Sequence, residues 1–72
     1  MKEEKQITPT ATEEEKSIVQ MIANGKTGED ISKEIGQNKN TFAFNLKVIR
    51  AKFDCANSTE LVALFMRNKL IK

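Results

Sequence analysis

Four times along this chain a Thr or Asn stands just ahead of a stretch in which apolar residues recur at spacings of three and four: Thr12, Thr27, Asn38 and Asn57. A side-chain oxygen at such a position accepts from an otherwise unpartnered amide of the first helical turn, and the spacing lays apolar side chains along one helical face. Thr12 and Glu15 make a Thr-x-x-Glu capping pattern, with Glu13 and Glu14 suited to the positive helix end, so a first helix is expected from Glu13 through Ile18, Val19 and Ile22 to the stop Asn24-Gly25. Thr27 opens a short second helix whose large apolar residues are Ile31 and Ile35, closed by Gly36 as a left-handed cap. Asn38 opens a third, in which Phe42, Leu46, Ile49 and Phe53 fall within about 60° of one another at about 100° per residue and are expected to face the core. Asp54-Cys55-Ala56 breaks that pattern, and Asn57 with Glu60 opens a fourth helix through Leu61, Leu64 and Phe65, ending near Asn68. No segment alternates with period two, so no sheet is expected. The fold class is therefore all-α, a four-helix domain over residues 12–72 behind a flexible polar leader, residues 1–11, that contains Pro9.

A chain of 72 residues supports one small core near the lower limit for independent folding, where dimerisation is a common aid. Its formal charge is only +2, but the charge is unevenly placed. Residues 1–35 carry five Lys against eight acids, and residues 36–72 carry seven Lys or Arg against two acids. The second half is where a polyanion would bind. Cys55 is the only cysteine and His is absent, which excludes an intrachain disulfide, a His/Cys zinc site and a Cys–His or Ser–His catalytic pair. An enzyme, a metal and a cofactor are accordingly not expected, and Cys55 reads as a small buried side chain. No apolar run approaches the roughly 18–20 residues of a membrane span, and no signal-peptide run follows Met1–Lys5, so a cytoplasmic location with no membrane partner is expected.

A short helix, a turn of about four residues containing Gly, and a longer helix with a basic exposed face are the ingredients of a helix-turn-helix unit. Opposite the core stripe of the third helix lie Asn40, Phe44, Lys47 and Ala51, flanked by Ala43 and Val48. From the residues alone, Lys39, Lys47, Arg50 and Lys52 either solvate an exposed face or meet phosphates.

The stretch from Ala11 to Ile71 resembles the LuxR-type, or GerE-like, helix-turn-helix domain, in its free-standing form. The blocks that carry the resemblance are Ile22-Ala23-Asn24-Gly25-Lys26-Thr27, Ile31-Ser32-Lys33-Glu34-Ile35-Gly36, Thr41 with Leu46 and Ile49, Lys52-Phe53, and Asn57-Ser58-Thr59-Glu60-Leu61-Val62-Ala63. The resemblance implies a bacterial transcription regulator whose third helix enters the major groove of duplex DNA and whose fourth helix forms a homodimer. On that reading the DNA-binding residues are Lys26, Thr27, Asn38, Lys39, Asn40, Thr41, Ala43, Phe44, Lys47, Arg50 and Lys52. Lys47 is the leading base or phosphate contact, and Phe44 is placed to touch a thymine methyl. The chain departs from the family pattern at four places: Ala43 stands where a Lys is usual, Asn45 where a His is frequent, Gln37 where an apolar residue follows the turn glycine, and Glu13 where a Pro is common. Leu61 to Met66 is six consecutive apolar residues, more than one core face needs, so Val62 and Met66, with Phe65, are expected at a dimer interface. The alternative reading is a protein-interaction module, an adaptor or antagonist that presents Ala43, Phe44 and Val48 to a protein partner.

Overall fold

The computed structural model describes residues 10–72, so the leader expected over 1–11 lies outside the described residues except for Thr10 and Ala11. Each expected cap is made, and each opens a helix: α1 (Glu13–Ala23), α2 (Gly28–Glu34), α3 (Lys39–Lys52) and α4 (Ser58–Arg67). At α1 the capping box is complete, with the Glu15 amide donating to Thr12 Oγ1 at 3.0 Å and the Thr12 amide donating to Glu15 Oε1 at 2.9 Å. Thr27 accepts from the Asp30 amide, Asn38 from Thr41 and Asn57 from Glu60. Glu60 turns one residue further back than a capping box requires, accepting from the Ala56 amide at 2.7 Å. Each such cap stabilises its helix by about 1 kcal/mol.

The helix ends follow one plan. After α1 the amide of Lys26 donates to the Met21 carbonyl and that of Gly25 to Ile22, and the same paired bonds run from Gln37 to Ser32, from Cys55 to Arg50 and from Leu70 to Phe65. This is the Schellman closure, which needs one residue in the left-handed region. Gly25 (φ 91°) and Gly36 (φ 76°) supply it after α1 and α2, whereas Asp54 (φ 58°) and Lys69 (φ 61°) supply it after α3 and α4. The two non-glycine closures carry a steric cost of about 1–2 kcal/mol each, because a Cβ crowds the next carbonyl in this region.

α1 packs against α4 and α2, and α2 against α3. The core draws Ile18, Val19 and Met21 from α1, Ile31 from α2, Phe42 and Ile49 from α3, and Leu61, Leu64 and Phe65 from α4, and it is completed by Phe53, Cys55 and Ile71. Phe53 and Phe65 meet edge to face, with ring centroids 5.1 Å apart and planes at 79°. Leu46, expected to be fully inside, is only half-buried, because it lies at the margin of its stripe and part of it stays in water. Ile22 and Ile35 are likewise half-buried. Ala11 also packs on the core. Among the described residues there is no strand, and no helix is long and apolar enough to cross a membrane.

Candidate nucleic-acid interface

The unit formed by α2 and α3 is set by its turn. Ile35 to Asn38 connects the two helices, Gly36 takes the left-handed conformation that lets the chain reverse, and Asn38 restarts it by capping the Thr41 amide at 2.8 Å. α2 packs against α3, and Ile31 and Phe42, one on either side of the turn, are both buried in the common core. A further tie was not anticipated from sequence: Asn45 Nδ2 donates to Gln37 Oε1 at 3.2 Å. These are two of the positions at which the chain departs from the family pattern, and they contact each other across eight residues. The signal was available in the paired departure, a polar residue in the turn matched by an amide on the middle of α3.

With α3 held in this way, the side chains opposite its core stripe face solvent. Asn40, Ala43, Phe44, Lys47, Val48 and Ala51 are all exposed. α3 contains no Asp or Glu, and its Lys39, Lys47 and Arg50 form no ion pair among the described residues. At about 100° per residue, Lys39, Ala43, Arg50 and Lys47 fall on one flank of α3, and Thr41, Asn45, Val48 and Lys52 on the other. The second flank looks across an open cleft of about 350 Å³ towards α1, where Glu14 and Glu15 line the far side. A polyanion therefore meets Lys39, Lys47 and Arg50 on one flank and, across the cleft on the other, Glu14 and the Glu15 carboxylate already paired with Lys52.

Two of the expected DNA contacts are otherwise engaged. Lys26 Nζ pairs with Glu34 at 3.2 Å. Lys52 Nζ lies 3.0 Å from both carboxylate oxygens of Glu15 and 3.2 Å from the Thr10 carbonyl oxygen, so it ties the end of α3 to the start of α1. Glu15 is drawn to it because that carboxylate already closes the α1 capping box and is held in place at 15 % exposure. The side-chain oxygens of Thr27 and Asn38 are occupied as caps. Glu29 and Asp30 lie in the first turn of α2, which makes that helix end a poor neighbour for a phosphate, whereas the first turn of α3 carries Lys39 and no acid.

On α4 the expected outward ridge is narrower than the sequence suggests. Phe65 is fully buried against Phe53 and is removed from any outward surface, because the domain's own core takes up its ring. Val62 is half-buried, and Met66 remains 49 % exposed. Among the described residues no three His, Cys, Asp or Glu side chains lie together as a metal site requires.

No curated protein and no solved structure matches the chain. The model of the GerE family, described as bacterial regulatory proteins of the luxR family, matches residues 10–65, which takes in α1, α2, α3 and most of α4, and the chain belongs to that family.

Proposed function

We propose that this protein is a duplex-DNA-binding transcriptional regulator that places α3 in the major groove and works in the cytoplasm as a dimer joined through α4. Its family is one of DNA-binding regulators. The observation that carries the reading is the charge of α3: four cations, no acid, and three of the cations without an ion pair among the described residues. Lys39, Lys47 and Arg50 neutralise phosphates, while Asn40, Ala43, Phe44 and Lys47 face base edges. Titration of the protein with random-sequence duplex at two salt concentrations tests this. Three phosphate contacts per protomer predict a slope of log affinity against log salt of about −2.7 per protomer. Absence of binding at low salt refutes the reading.

For the dimer, the support is Met66, an exposed large apolar side chain on α4, with Val62 one turn before it. Val62→Glu with Met66→Glu is expected to yield a folded monomer with much weaker DNA binding, checked by sedimentation of parent and double mutant at tens of micromolar. A parent that stays monomeric both alone and on DNA removes the α4 interface.

A second reading, an adaptor that binds a protein through α3, is favoured by the exposure of Phe44 and Val48 on that helix. The same titration separates the two, since an adaptor of this kind does not bind random duplex with a steep salt dependence.

A further inference from the structure

Three large apolar side chains are exposed among the described residues, and two of them, Phe44 at 64 % and Val48 at 49 %, lie one turn apart on α3. Four residues separate them, about 6 Å along the helix axis. Ala43 is exposed beside Phe44, and the polar groups that flank this ridge around the helix are Asn40 and Lys47 on one side and Thr41 and Lys52 on the other. We propose that Phe44, with Ala43 and Val48 beside it, makes α3 a reader of thymine C5-methyl groups, so that the protein selects A·T-rich major-groove sites; this inference rests on the DNA-binding reading above.

The argument is one of matching chemistry. In the free protein the Phe44 ring is largely in water, and it gains from binding only where the groove offers an apolar partner. The thymine methyl is the one methyl group that the four bases present in the major groove. A G·C pair at the same place presents N7, O6 and an amino group, which the ring would desolvate without a hydrogen bond in return. The same residue thus attracts one base pair and penalises the other. Of the polar neighbours, Asn40, in the first turn of α3, has the bidentate amide that suits adenine N6 and N7 and points the same way. Lys47, whose ammonium suits guanine O6 and N7 as well as a phosphate, is assigned to the phosphate. Arg50 is half-buried on the basic flank.

The experiment is selection of a binding site from a random duplex pool by the full chain, followed by affinity measurement on the selected duplex with each thymine replaced in turn by deoxyuridine. That exchange removes only the methyl group. The expected result is an A·T-rich site containing at least one thymine whose replacement weakens the parent about three- to fivefold and leaves the Phe44→Ala variant unaffected. Because Phe44 is exposed, that variant should melt with the parent. Duplex binding that is steeply salt-dependent but shows no sequence selection, no deoxyuridine penalty, or the same penalty in parent and Phe44→Ala overturns the thymine reading and leaves DNA binding standing. No duplex binding at low salt overturns both.

Discussion

α4 and α3 use their residues in opposite ways. α4 has ten residues and buries Leu61, Leu64 and Phe65 almost completely, whereas α3 has fourteen and buries only Phe42 and Ile49. The difference shows where the fold is held and where the molecule is free to meet a partner. α4 is a core element. α3 is fixed by the Asn38 cap at the start, by Phe42, Leu46 and Ile49 along its inner face and by Phe53 and the Lys52–Glu15 pair at the finish, and its outer face presents side chains that contribute little to stability.

The largest expected effect lies on the α4 side of this comparison. Phe65→Ala removes a fully buried ring and its edge-to-face partner, and should destabilise the domain by about 3–5 kcal/mol. In a domain of this size such a loss leaves little folded protein at room temperature, which circular dichroism with urea titration would detect. A loss below about 1 kcal/mol would mean that α4 is not the element on which the core rests. A smaller effect, of opposite sign, is expected just beyond the same helix. Lys69 is exposed and holds the left-handed closure of α4 at φ 61°, so Lys69→Gly should stabilise by up to about 1 kcal/mol, seen as a raised melting temperature. An unchanged or lowered melting temperature would place no strain at that closure. The smallest effect on stability belongs to the outer face of α3. Lys47→Ala should leave the melting curve within about 0.5 kcal/mol of the parent, as surface changes do, yet weaken duplex binding and reduce the salt slope by about one if Lys47 meets a phosphate. Loss of stability without loss of DNA affinity would invert the contrast between the two helices.

Much of this architecture was legible from residue order alone. Thr12, Thr27, Asn38 and Asn57 marked the four helix starts because capping is a local interaction: the oxygen and the amide it serves lie three residues apart, and no tertiary contact is needed to bring them together. Gly25 and Gly36 were legible for the same reason. The stripe of α3 was mostly legible, with Leu46 overstated, because a helical wheel gives the direction of a side chain and not how much neighbouring structure covers it.

The candidate interface divides along the same line. That Asn40, Phe44 and Lys47 share an outward face follows from the helical period, which the sequence by itself determines. Which cations remain available to a phosphate does not. Lys52 and Lys39 are alike as residues of α3, but Lys52 ends beside the carboxylate that caps α1, thirty-seven residues away in the chain, and Lys39 makes no ion pair among the described residues. Phe65 and Met66 are adjacent in the chain; the helical period turns Phe65 inward with Leu61 and Leu64 and Met66 outward, and the tertiary structure supplied Phe53 as the ring's edge-to-face partner. The pairing of Gln37 with Asn45 likewise depended on how the turn residue just ahead of the Asn38 cap folds back along α3. Local periodicity and capping therefore specified the helices and their faces, whereas the partners of each long polar or aromatic side chain were settled by tertiary structure, because an ion pair or a ring contact depends on distances between elements that residue order does not encode.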